Sequence, residues 1–109
     1  MVDPDVAAAA AARGRFVRMV GSARAAEARR WAGTPAAPPL TLSPLTVCVR
    51  KRPLNSREAG SEDYDVVSAV TSRRLVVHEP RTRYDLQQMV ASHEFEFDRV
   101  FSEVRRRVA

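Results

Sequence analysis

Arg50, Arg52 and Pro53 are the residues of this chain whose types and spacing could do chemistry. Two guanidinium groups one residue apart, followed by proline, could grip a flat heterocycle. Guanidinium stacks on aromatic rings, and the pyrrolidine ring offers a rigid apolar ledge. The element that must position them is the run LTVCVR at 45–50. Leu45, Val47 and Val49 fall on one face at period two, with Thr46, Cys48 and Arg50 on the other, which predicts a strand. Pro53 lacks a backbone donor and ends the ladder. The plainer alternative is an edge strand closed by solvated charges.

A chain of 109 residues suffices for one small domain. Its formal net charge is +5, and the excess sits mainly at the front, where six arginines face only Asp3, Asp5 and Glu27 within residues 1–44. An acidic polymer is the natural partner, and nucleic acid, anionic membrane and an acidic protein surface satisfy it equally on charge. The scarcity of aromatics among the arginines speaks against a base-stacking platform. Cys48 is the single cysteine and has no metal-ligand spacing around it. His78 and His93 likewise read as ordinary surface or strand-end residues. No apolar run approaches the roughly twenty residues that cross a bilayer. The Ala- and Arg-rich start has the flavour of a mitochondrial transit peptide, but Asp3 and Asp5 argue against one.

Three pieces follow from the pattern: 1–32, 33–44 and 45–109. Asp3 can cap a helix with Pro4 at its first position, and the alanines that follow propagate it, predicting a helix over 4–31. Phe16, Met19, Val20 and Ala23 make its narrow apolar stripe. Gly14 and Gly21 each cost on the order of 1 kcal/mol relative to alanine, so the helix needs a cover for its apolar side. Residues 33–44, with Pro35, Pro38, Pro39 and Pro44, read as an extended linker separating helix from core. Strands are predicted at 45–50, 66–70, 75–77 and near 95–97, with a charged connection through Gly60 to Asp63. Phe95, Phe97 and Phe101 are expected to pack in the core.

The run VCVRKRPLN at 47–55 resembles the opening strand of the kinesin motor domain, and is most similar to the internal-motor class that depolymerises microtubules. LVVHEP at 75–80 resembles that class's second small strand. Arg83-Tyr84-Asp85-Leu86 sits where its Lys-Val-Asp loop would be, and FEFDRVF at 95–101 matches the kinesin pattern Phe-x-Phe-Asp-x-x-Phe. The resemblance covers residues 45–103.

This resemblance implies an α/β fold: the amino-terminal part of a P-loop NTPase motor, with the first strands of the central sheet and a small antiparallel lobe, behind a basic helical neck. Arg50, Arg52 and Pro53 would form one wall of the adenine pocket for ATP, while Lys51, at the variable position, is assigned no contact. Arg83, Tyr84 and Asp85 would lie on a finger against tubulin, with Tyr84 departing from the class's valine. The implied partner is tubulin and the microtubule, and the implied location the cytoplasm and cytoskeleton; the absence of a long apolar run argues against a membrane, and nucleic acid is disfavoured as a partner.

The sequence holds no G-x-x-x-x-G-K-[ST] phosphate loop and neither switch motif, Asn-x-x-Ser-Ser-Arg or Asp-x-x-Gly. The parts that hold phosphates and magnesium are therefore missing, and the chain alone is predicted not to turn over ATP. A motor core needs roughly three times this length, so the chain reads as the beginning of one. The ending VRRRVA is unlike a kinesin continuation and reads as a truncated gene model, a frameshift or a remnant gene. The alternative is a non-enzymatic basic adaptor that binds microtubules or nucleic acid through its Arg-rich helix. A mitochondrially targeted fragment ranks third.

Overall fold

A computed structural model of the chain describes residues 3–41, 44–60 and 63–103. The arginine run at 105–107 lies outside them. The fold is mixed α/β, with a long helix, a small parallel sheet and an antiparallel sheet.

Helix α1 spans Pro4–Arg30. Asp3 caps it, its side chain accepting a hydrogen bond from the Asp5 amide at 3.0 Å, and Pro4 occupies the first turn. Beyond the capping residue Trp31, the chain turns through Gly33 at φ +80, a conformation that glycine adopts without a Cβ clash. The stripe read from the sequence faces inward: Val20 is buried and Phe16, Met19 and Ala23 are half-buried. The cover that the two glycines require is the antiparallel sheet.

That sheet consists of β2 (Val67–Ala69), β3 (Arg74–Thr82) and β4 (Gln88–Glu96), in the order β2-β3-β4. The β3–β4 register, with Val76 opposite Glu94 and His78 opposite Ser92, puts alternate residues of both strands on the helix side. Three contacts fix the helix along this face. Arg15 donates to Gln88 at 2.6 Å near the hairpin tip, Arg30 reaches Glu94 at 3.3 Å, and Trp31 receives the Arg74 guanidinium 4.6 Å from its ring centre. Residues 4–11 of α1 are exposed throughout.

The second sheet is a parallel pair of β1 (Cys48–Arg50) and β5 (Arg99–Phe101), with Val49 opposite Val100. It joins the first where the Val100 amide donates to the Ser72 carbonyl at 2.7 Å and the Phe97 amide to that of Arg73 at 2.8 Å. The linker is pinned to this junction rather than standing clear of it. The Ala37 amide donates to Ser72 Oγ at 2.9 Å, and Arg99 donates to the carbonyls of Ala37 and Pro38.

Several expectations are corrected. The first strand is shorter than 45–50: pairing with β5 begins only at Cys48, where Arg99 stands opposite, and Leu45 and Val47 are exposed. The strand expected near 95–97 is divided, with Phe95 and Glu96 ending β4 and Asp98 turning the chain into β5. Phe95 and Phe101 are 47% and 49% exposed rather than core. Phe95 lies opposite Leu75 on the sheet face away from α1, and Phe101 ends the short parallel pair. The buried apolar side chains among the described residues are Val20, Leu75, Val76 and Val100. His78, expected at the surface, is 0% exposed, because its strand position points it under α1.

Candidate functional site

Strand β1 ends at Arg50 and the chain then runs through Lys51, Arg52 and Pro53 along an open cleft of about 690 Å³ lined by these four residues and Glu103. The three site residues expected from the sequence are thus brought together on one wall. The local cause is the parallel pairing with β5. The Lys51 amide donates to the Phe101 carbonyl at 2.8 Å, the last rung before Pro53 stops the ladder, and this rung also brings Glu103 alongside.

The cations of this wall have different fates. Lys51, expected to make no contact, is 9% exposed. Its ammonium lies 2.5 Å from Asp65 Oδ2 and 2.9 Å from Glu103 Oε2. Alternation explains the correction: in an extended segment Lys51 points opposite to Arg50 and Arg52, which places it inward. Burial pushes the Asp65 carboxyl up, but the Lys51 hydrogen bond, the Val67 amide and the charges of Arg24 and Lys51 outweigh it and hold the group below the usual carboxylate range. Asp65 in turn lies 3.5 Å from Arg24, which also donates to the carbonyls of Asp65 and Val67 at 2.7 and 2.8 Å. An ionic chain therefore runs from the cleft to helix α1.

Arg52 forms a two-pronged pair with Glu58, at 2.5 and 3.2 Å. Glu58 belongs to a short helix α2 (Ser56–Gly60) that the sequence reading missed. Its signal was present: the Asn55 side chain accepts from the Glu58 amide at 2.8 Å while Glu58 accepts from the Asn55 amide at 3.2 Å, a reciprocal cap with Asn-x-x-Glu spacing. Arg52, followed by the Asn55 amide, holds the Glu58 carboxyl below its ordinary value, and the Arg52 guanidinium is pushed up in return. Arg50 has no partner among the described residues and is the uncommitted cation of the cleft.

Arg83, Tyr84 and Asp85 lie elsewhere, at the tip of the β3–β4 hairpin, so they form no common site with the cleft. Two nine-residue strands carry the tip outward. The Arg83 amide donates to the Gln87 carbonyl at 2.8 Å and the Leu86 amide to the Arg83 carbonyl at 2.9 Å. Asp85 accepts from the Gln87 amide at 3.1 Å, so one of its oxygens shapes the turn. Tyr84 and Leu86 are exposed, and Leu86 sits at φ 67, a left-handed conformation that disfavours a side chain.

Three of the six arginines of α1 face the sheet rather than solvent alone. Arg15, Arg24 and Arg30 are spent on docking to the sheet. Among the described residues no group of His, Cys, Asp and Glu is arranged to hold a metal ion, and no helix is long and apolar enough to cross a membrane. No model of a known protein family matches the chain.

Proposed function

We propose that this chain supplies the adenine-side wall of a kinesin-like ATP-binding motor and that its β3–β4 hairpin is the finger such a motor lays against tubulin. The observation that carries the reading is the cleft at the end of β1, where Arg50, Arg52 and Pro53 share one wall. Its size suits a purine and its attached ribose. The exposed proline offers a flat apolar contact and the Arg50 guanidinium a cationic one, the chemistry that an electron-rich heterocycle meets favourably.

ATP would be held here by its base. The Arg52–Glu58 pair and the Lys51 cluster are already neutralised from within, so neither presents the free positive charge that a triphosphate requires. Arg52 acts by fixing the course of the chain around Pro53. The hairpin adds a rigid projection with the Arg83 guanidinium and the Tyr84 ring in solvent. The docking of three helix arginines onto the sheet gives the adaptor alternative less support.

Equilibrium dialysis of adenosine against the full chain tests the cleft. Saturable binding that weakens about tenfold in Arg50→Ala, the loss expected for a partly desolvated cation–π contact, supports the reading. Binding unchanged by that substitution, or no binding at all, contradicts it.

A further inference from the structure

Strand β4 is an outer strand of the antiparallel sheet. Its backbone hydrogen-bonding groups alternate in direction. The Arg83 amide donates to the Gln87 carbonyl and the Phe97 amide to that of Arg73, whereas the His78 amide turns the other way, to Val66. In the β3–β4 register this sends the odd-numbered backbone groups of β4 to β3 and leaves those of Gln88, Val90, Ser92, Glu94 and Glu96 facing outward. Among the described residues none of these outward groups has a partner. The opposite edge is closed. Strand β2 is three residues long, and the amide and carbonyl of Val67 are taken by Asp65 Oδ1 at 3.0 Å and by Arg24 at 2.8 Å. Strand β4 lacks the usual guards of an edge: its nine residues include no lysine or proline, and its pairing with β3 runs without a bulge.

We propose that this edge joins two copies of the chain, β4 pairing antiparallel with β4 of a second copy about a two-fold axis at Ser92. The inference stands apart from the nucleoside cleft. Centring on Ser92 is the register in which all nine residues pair, Gln88 with Glu96 and Val90 with Glu94, and in which the outward groups of each strand meet those of the other. The strand is self-complementary there. Glu94 and Glu96 stand opposite Val90 and Gln88 rather than opposite each other, and both are compensated within their own chain by Arg74, at 3.1 and 3.4 Å. Gln88 accepts from Arg15 through Oε1, which leaves its side-chain N–H groups to donate to Glu96 of the second copy. On the face away from α1, Phe95, 47% exposed, gains Met89 of the second copy as its cross-strand neighbour. The axis is perpendicular to the sheet, so both helices lie on one face of a continuous sheet ordered β2-β3-β4-β4-β3-β2. Main-chain hydrogen bonds supply the affinity of such an added strand, and its alternate side chains the specificity.

Sedimentation of the full chain over a concentration series tests this. The weight-average mass is expected to rise toward about twice that of one chain. Amide exchange at Val90, Ser92 and Glu94, unprotected in dilute solution, should slow along with it. Val90→Pro removes an outward donor and no bond to β3, so it should keep the fluorescence of Trp31 at the docked end of the helix and return the mass to that of one chain. A chain that stays single at every concentration overturns the proposal. So does a dimer in which those three amides exchange as fast as before, or one that survives Val90→Pro unchanged, because another surface then holds it. The exchange measurement needs no substitution and decides the question even where Val90→Pro fails to fold.

Discussion

Lys51 is the residue at which cleft, sheets and helix meet. Its backbone continues the parallel ladder through Phe101, and its ammonium is shared by Asp65 and Glu103. Replacing it with methionine keeps the length of the side chain but leaves two carboxylates without their common cation. Both are about a third exposed and regain part of their hydration. Lys51→Met should therefore lower unfolding stability by about 1–3 kcal/mol, less than for a fully buried pair. Urea denaturation measures it, and an unchanged midpoint contradicts the assignment. Leu86 gives the opposite expectation. Its left-handed backbone costs about 1–2 kcal/mol for a non-glycine residue, and its exposed side chain buries little. Leu86→Gly should gain about 0.5–1 kcal/mol after the entropy of the unfolded glycine is subtracted. A lower melting temperature for that variant would contradict the strain. Arg50, Arg52 and Pro53 were legible in the sequence because strand alternation and a proline stop are local signals. The partners of Lys51 were not, because they come from distant parts of the chain.

Among elements, α1 adds to the Arg15, Arg30 and Trp31 contacts a polar clamp from Arg24 and the cover over a buried ring. Arg24 donates to two backbone carbonyls at the start of β2. Beneath the helix, His78 Nε2 lies 2.8 Å from Ser68 Oγ and Nδ1 lies 3.0 Å from Ser92 Oγ, so both ring nitrogens are satisfied. Burial, then the charge of Arg24, holds the His78 pKa below its ordinary 6.5, against weaker opposing pulls from Glu27 and Asp65. The folded state thus binds the proton less readily than the unfolded one. Stability from this group is fully present above about pH 6.5 and declines as pH falls from there toward the folded value. The single tryptophan, Trp31, stacks on Arg74 at the end of α1 and reports on this docking. Its fluorescence-detected unfolding midpoint should drop between pH 7 and the onset of carboxylate titration, and His78→Gln should flatten that dependence. An equally steep dependence in the variant would assign it to other groups. Helix α1 was legible to within a residue from its cap and apolar stripe. Its place on the sheet was not, because the docking contacts join Arg15, Arg24 and Arg30 to residues far along the chain. A loop at 83–86 was expected from the resemblance alone, while the length of β4 was hidden by the weak alternation of Gln88, Met89, Val90 and Ala91.

As a whole, the molecule separates its two candidate surfaces, with the cleft at the end of the parallel pair and the tip at the end of the long hairpin. They should therefore fail independently. Co-sedimentation with microtubules should weaken in a double Arg83→Ala, Asp85→Ala variant and weaken further as salt rises, since exposed charges are screened over about 8 Å at physiological ionic strength. Adenosine binding by the same variant should be unchanged; microtubule binding insensitive to the double substitution would remove the finger. The α/β character was legible from strand runs behind an alanine-rich helix. The small size of the buried core was not, because a phenylalanine-rich run signals burial without showing whether anything covers it. Entry of a base into the cleft is read residue by residue from amide chemical shifts of the full chain during an adenosine titration. Saturable shifts should concentrate at Arg50, Lys51, Arg52 and Glu103, with little change at the hairpin tip. Shifts absent from those residues, or centred on the arginines of α1, would contradict it.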